Sequence, residues 1–447
     1  MALNFQYNKI IKYKITAECK QPLHIGSALN EKEEVLVHPV DNMPFIQAAS
    51  IIGVFRSYCT KSYGEKKADE MFGYKNLIEK SNASEYGSKI KVTDGVFDKS
   101  TLKLELRPRV SINAETGSVS NKKVNGTNRL SGQKFNTEYI GAGAEFNFSI
   151  YLYEEKLQSE LETVLSALNE ESIQFGGQKS NGCGYIELKS VLYKEFDIKN
   201  ADDRNLWFKE EYLEKSAYEE KISKLPSLEK TSLAYEITVN GKTEGEILVK
   251  DINIGTSSEV PDSSNMKNAN GNYIVPGSSF KGVIRSQIER IAKYLKDDKA
   301  VEEIFGSNEE KSIGNVSFMD TVLYEEYPVI SHRIHIDKFT GGVMQGSLFT
   351  EENMSGKMIF KINIYDRENS EKSVGFLIMA LRDLANGIIS VGSGYSVGKG
   401  IIDVSSITVK DKKNGSTAII NFNGEKSSID DKDEIISRCL KVVIGGK

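Results

Sequence analysis

Several residue types that announce a function are scarce in this chain. Of 447 residues only four are cysteine and four histidine, and there is a single tryptophan. The cysteines (Cys19, Cys59, Cys183, Cys439) stand far apart with no CxxC pair, which excludes a zinc ribbon or a disulfide framework and fits free thiols in a reducing compartment. Among the histidines (His24, His38, His332, His335), the last two fall on opposite faces if 331–336 is a strand, so they make no metal pair. No GxSxG elbow and no Walker loop is present. No apolar run is long enough to span a bilayer, and the N-terminus lacks a signal-type cleavage site. A cytoplasmic protein with no membrane partner is expected. An excess of positive charge is missing too. The net charge is −5, so any nucleic-acid affinity must come from local features.

What the chain does have is an internal repeat. "PFIQAASIIGVFRS" (44–57) aligns without gaps on "YIVPGSSFKGVIRS" (273–286). "DEMFG" (69–73) echoes "EEIFG" (302–306), and "KIKVTDGVF" (89–97) echoes "NVSFMDTVL" (315–323), which pairs Asp94 with Asp320. "RVSINAETG" (109–117) echoes "RIHIDKFTG" (333–341), pairing Arg109 with Arg333. "FGGQKSNGCGYIELKSV" (175–191) echoes "VGSGYSVGKGIIDVSSI" (391–407). Five matches in one order predict two tandem domains, 1–199 and 231–447. Between them, 200–230 reads as a charged, mostly helical linker, with Trp207 as its anchor on a domain surface.

Each repeat reads β-α-β-β-α-β. Strands follow from alternation, clearest in "EFNFSIYLY", and the second helix from leucines at helical spacing in "EKLQSELETVLSALNEE". The expected fold class is α+β, two ferredoxin-like (RNA-recognition-motif-like) domains. The stretches 98–143 and 324–356 are expected to be long inserted loops, a length that points to function.

Four features carry chemistry. The first is the helix start. Gly277 allows close backbone approach, Ser278 or Ser279 (Ser50 in the first repeat) would cap the helix, and Lys281, Arg56 and Arg285 follow. Such an end suits a phosphate. The second is a glycine-rich loop in each repeat. One holds Gly176, Gly177, Lys179, Ser180 and Gly182; the other holds Gly392, Gly394, Ser396, Gly398 and Lys399. Both would bring N–H groups to a phosphodiester. The third is the first insertion. From Lys103 to Lys134 it carries seven basic residues against two acids, with Arg109, Lys122, Lys123 and Arg129 the candidates for a polyanion. The fourth is the set of acids in the loops before the first helices. Glu33 and Asp262 occupy matching places and Asp251 lies upstream. One such carboxylate, with phosphate oxygens, can hold Mg²⁺ or another divalent cation. Asp262 is the first choice as catalytic and metal-binding residue, then Asp251, then Glu33.

"LHIG", "YIVPGSSFKGVIRS", "EEIFG" and "RVSINAETG" together resemble the RAMP superfamily, and more narrowly the backbone subunits of type III CRISPR effector complexes. Two units in one chain resemble the fused backbone subunits of subtype III-D. The resemblance implies guide RNA held at the helix start and glycine loop, and a thumb interrupting the guide–target duplex. It also implies target RNA and other effector subunits as partners and, in some members, metal-dependent cutting by an Asp of the first loop. The first repeat departs from the pattern, lacking the Pro-Gly and carrying Glu33 for Asp. Two alternatives stand beside this reading. One is a metal-independent guide-processing endoribonuclease, whose base would be His24. The other is a non-catalytic scaffold.

Overall fold

The computed structural model describes residues 8–26, 34–75, 85–110, 121–123, 130–132, 134–228, 231–251, 261–307, 312–424 and 426–445. The chain forms two compact units. One comprises Met1–Leu104, Tyr139–Lys179 and Cys183–Thr231; the other comprises Glu105–Glu138, Ser180–Gly182 and Ser232–Lys447. Two pieces of the first repeat, most of its insertion and the tip of its glycine loop, therefore belong to the second unit.

In the first unit the strands run antiparallel in the order Ile186–Asp197, Lys9–Cys19, Glu145–Leu152, then Ile90–Val92 and Gly95–Phe97. Last, first, third, second is the ferredoxin-like order. The alternation of Glu145–Leu152 buries Phe146, Phe148, Ile150 and Leu152. Against them lie Ile51 and Phe55 of helix Ala48–Tyr63 and Leu161, Val164, Leu165 and Leu168 of helix Gln158–Asn169. Each fully buried aliphatic or aromatic chain of this kind contributes about 1.5–3 kcal/mol.

The second unit repeats the plan. Its order is Ile401–Asp411, Leu233–Glu244, Phe349–Tyr365, then Val316–Phe318 and Thr321–Arg333. Strands Thr417–Asn423 and Lys426–Asp430 extend the far edge. Helices Gly277–Leu295 and Ser370–Ala385 cover the sheet, with Phe280 stacked on Phe360 at 4.2 Å. Both first strands bulge against their last strands at matching places, between Thr16 and Ala17 and between Asn240 and Gly241.

One expectation gains detail and another changes. The described part of the segment read as a helical linker anchored by Trp207, 200–228, packs within the first unit. Asn200 caps helix Ala201–Phe208, Glu219–Glu220 pairs with Leu192 and Tyr193, and Trp207 meets Tyr151 and Phe196 edge-on at 5.7 and 5.3 Å. The described parts of the insertions, expected as loops, include β-ribbons. Leu104–Val110 pairs with Lys134–Ile140, and Thr321–Arg333 pairs with the long strand Phe349–Tyr365 as far as Arg333↔Phe349. In the first ribbon the alternation is inverted, Glu105 and Arg107 being buried and Leu104 and Leu106 exposed, so the apolar residues do not mark the buried face.

Candidate nucleic-acid interface

The first helix of each repeat begins without the expected cap. Neither Ser50 nor Ser278 or Ser279 makes a side-chain cap; the N-cap positions are Gln47 and Pro276. An aspartate from the next strand region does the work instead. The Gly277 N–H donates to Asp320 Oδ1 at 2.9 Å, and the Ala48 N–H donates to Asp94 Oδ1 at 2.7 Å. A carboxylate there also meets the positive end of the helix dipole. These are the two aspartates that the repeat alignment pairs, and that pairing was the available signal for their shared role. Gly277 is required by contact: a Cβ there would lie 1.9 Å from the Phe318 carbonyl oxygen.

The glycine loops are held by the chain that follows each first strand. Gly177 and Ser393 donate to the carbonyls of His24 and Leu248 at 2.8 and 2.7 Å. Gly184 and Gly400 have φ of +85° and +78°, and a Cβ on either would strike Phe175 O at 2.0 Å or Val391 O at 2.1 Å. These closing glycines exist for packing. Gly176 and Gly392 likewise press on His24 and Leu248. Gln174, buried and unremarked in the sequence, ties the first loop together by donating to the Lys179 and Cys183 carbonyls at 3.1 and 2.9 Å. Lys179 is exposed. Lys399 corrects the expectation of a phosphate ligand. It is 1% exposed, donates to Glu351 Oε2 at 2.8 Å and Asn353 Oδ1 at 2.7 Å, and lies 3.3 Å from Glu246. Gly394 makes room for its stem, a Cβ there falling 2.9 Å from Lys399 Cδ.

Within the second unit a cationic cluster forms at the helix start. Lys281 Nζ donates to Ser180 Oγ at 2.7 Å. Burial, then repulsion from Arg285 and Arg109, pushes the Lys281 ammonium down to about 8. Three cations thus gather where the helix presents its N-terminal turn. Arg285 also pairs with Glu289 at 3.2 Å and lies over the Phe305 ring. Its counterpart Arg56 is engaged differently, donating to the Gly73 carbonyl at 2.6 Å and pairing with Asp69, so it ties its helix to the "DEMFG" turn.

Under the cluster, Asp320 has a second partner: Arg107 Nη1 lies 2.5 Å from its Oδ2. Arg107 also pairs with Glu105 at 2.8 Å, and Glu105 Oε2 accepts from the Ala269 N–H at 2.8 Å. Glu105 and Arg107 are 8% and 7% exposed. Burial raises the Glu105 carboxyl above its usual range, opposed by Arg107. Neither residue stood out in the sequence except as one charge among many.

The remaining candidates divide. Arg333 pairs with Glu351 at 3.3 Å, away from the role its partner Arg109 plays. Asp262 Oδ2 accepts from the Thr350 N–H at 2.7 Å. Asp251 is placed by its own N–H, which donates to the Ser264 carbonyl at 2.9 Å. Glu33 and Arg129 lie outside the described residues, and of Lys122 and Lys123 only the backbone is described, in a hairpin with 130–132. Among the described residues no three His, Cys, Asp or Glu side chains form a metal-holding group, and no helix is long and apolar enough to cross a membrane. His24 is 9% exposed, with its ring 5.6 Å from that of Tyr139.

The family model for the RAMP superfamily matches residues 16–187 and 236–403. No curated protein matches the chain. Among solved structures, a chain of the cryo-EM structure of the type III-B Cmr-beta bound to cognate target RNA is similar, at 17% identity and a TM-score of 0.31. That match covers 41% of this chain and 61% of the other, less than two thirds of its length.

Proposed function

The chain belongs to the RAMP superfamily, with one RAMP region in each repeat, and on that premise we propose that it is a guide-RNA-binding backbone subunit of a type III CRISPR ribonucleoprotein. In this reading it is a cytoplasmic antiviral component that lays guide RNA out for pairing with target RNA, alongside other effector subunits. The observation that carries the reading is the cluster of Lys281, Arg285 and Arg109 at the Gly277 helix start. Its lysine is desolvated among like charges and donates to a neutral hydroxyl, Ser180. Such a group gains most from a phosphodiester, which neutralises the cluster and accepts its hydrogen bonds. Phosphate contacts position RNA without reading its sequence. His24, the base a guide-processing enzyme would need, is buried beside Tyr139, which weighs against that alternative.

The test is RNA affinity. Lys281→Ala and Arg109→Ala should each weaken binding by about ten- to a hundredfold, on the ~1.5–3 kcal/mol scale of a hydrogen bond to a charged group. RNAs of unrelated sequence should lose affinity alike, as read by filter binding at fixed salt. Loss restricted to one RNA sequence would refute backbone holding.

A pH dependence follows with two opposite signs. With a folded value near 8, Lys281 loses its proton as pH rises from 7 to 9, so RNA affinity falls across that window. Protein stability moves the other way. The unfolded chain binds the proton more tightly than the folded one, so stability rises with pH from about 8 toward the ordinary lysine value of 10.5. Lys281→Arg should flatten the affinity profile. An unchanged profile in that variant would assign the titration elsewhere.

Cleavage of target RNA is proposed at Asp262 rather than at Asp251 or Glu33. Asp262 Oδ2 is held by the Thr350 N–H, which orients the carboxylate. A divalent cation bound there would take its other ligands from RNA phosphates and water. Asp262→Ala in the assembled complex should abolish any EDTA-sensitive cutting while leaving RNA affinity intact. Full cutting in that variant would move the site to another acid.

A further inference from the structure

The sheet of each unit has an edge beyond its last repeat strand, and the two edges differ. In the first unit that edge is guarded. Glu219–Glu220 pairs with Leu192 and Tyr193, and Glu220 Oε1 accepts from the Val191 N–H at 2.8 Å. In the second unit the hairpin of Thr417–Asn423 and Lys426–Asp430 continues the sheet and then stops. This hairpin lies outside the residues that match the RAMP model. Its first strand buries Ala418 and Ile420. Its second strand buries nothing. All five residues are exposed, Ile429 by 60%, although Ile429 pairs directly with Ile420. Among the described residues no strand pairs with its outer side.

The register fixes what that outer side offers. Two residues separate Asn423 from Lys426, so their pair is of the kind that exchanges both backbone hydrogen bonds. Two and four residues on, Ser428 and Asp430 spend their backbone groups in the same way on Asn421 and Ile419. The N–H and C=O groups of Ser427 and Ile429 therefore face outward. Such a row is a template for another strand. The charges say which strand. Lys426 stands at one end and Asp430 at the other, on the same face, and neither side chain has an ion-pair partner among the described residues. A guard of one sign would repel a second copy. Opposite signs at the two ends attract an antiparallel one.

We propose that Lys426–Asp430 pairs with the same strand of a second copy of this chain, antiparallel about a two-fold axis at Ser428. Ser427 then exchanges both backbone bonds with the partner's Ile429, and the axis repeats the exchange. Lys426 falls opposite the partner's Asp430, again twice over, in the pairs whose side chains approach most closely. Ile429 comes diagonal to its own copy on the other face and loses exposure. The contact is isologous and closed, because each chain has one such edge and uses it once. It is small, so its dissociation constant is on the order of 10–100 µM. The inference rests on the sheet edge and not on RNA binding.

The experiment reads association and its register. RNase-treated full-length protein is followed by sedimentation velocity from ~5 to ~500 µM, a span that brackets this affinity. The unmodified chain should pass from monomer to dimer. Lys426→Asp and Asp430→Lys should each weaken the dimer by about tenfold or more, since each turns both attractive cross-strand pairs into repulsive ones. The double swap Lys426→Asp with Asp430→Lys keeps the net charge of the unmodified chain and should dimerise again. Both positions are exposed, and circular dichroism checks that each variant folds. A chain that stays monomeric throughout overturns the proposal and leaves the edge to a strand of another protein. So does a dimer that neither single variant weakens, and so does a double swap that stays as weak as the single variants.

Discussion

Lys399→Met lowers the stability of the folded chain by about 3–5 kcal/mol, the usual cost of removing one partner of a buried ion pair. Methionine matches the lysine stem in length and packs, so the loss is electrostatic. Glu351, 6% exposed, and Glu246 would keep their charges without the ammonium between them. Arg333 at 3.3 Å and Lys250 at 3.7 Å from Glu351 soften the penalty without replacing two short hydrogen bonds. The pH profile identifies the cause. Burial pushes the Glu351 carboxyl up, but the Lys399 hydrogen bond and charge outweigh it, and the net position is below the usual carboxylate range. A depressed carboxylate contributes stability above its unfolded value of about 4.5 and loses it as pH falls through the folded value. The deficit of the variant, read by urea melts, should therefore be full at neutral pH and shrink in acid. A deficit independent of pH would mean lost packing, and RNA affinity falling with normal stability would return Lys399 to the phosphate site.

Arg107→Ala should cost a similar ~3–5 kcal/mol, again by stranding buried charge. Here two acids are left, Glu105 and Asp320, one of which holds the first N–H of the helix that carries Lys281. Glu105 already sits above the usual carboxylate range through burial, with Arg107 pulling it back, so removing Arg107 raises it further. A raised carboxyl binds its proton more tightly in the folded state. Stability is therefore lost as pH climbs from the unfolded value toward the folded one. The variant should be distinctly weaker at pH 8 than at pH 5, the same direction as the Lys399→Met deficit. Arg107→Lys, which keeps the charge but not the two-sided geometry, should recover part of the loss. Equal destabilisation by Lys and Ala at both pH values would reduce Arg107 to a space-filling residue.

The duplicated architecture was legible before any coordinates. Gapless repetition of "PFIQAASIIGVFRS", the alternation in "EFNFSIYLY" and the leucine spacing in 155–171 are local patterns, and local patterns dictate strands, helices and their order. The repeat even paired Asp94 with Asp320, although their shared task at the helix start was invisible. A cap contributed from 43 or 46 residues downstream leaves no trace at the helix itself, where nearby serines look sufficient. The fate of each charge was likewise out of reach. Lys281 and Lys399 both stand in glycine- or serine-rich settings, yet one is left among cations and the other is enclosed by acids some 50 and 150 residues away in sequence. The first ribbon was hidden because it inverts the usual burial rule, with Glu105 and Arg107 inside and Leu104 and Leu106 outside. Burial and partnership are set by what the fold brings from far along the chain, and a sequence window contains only what is near. Membership of the family and the duplicated plan belong to sequence; which lysine is left among cations and which holds the sheet together belongs to packing.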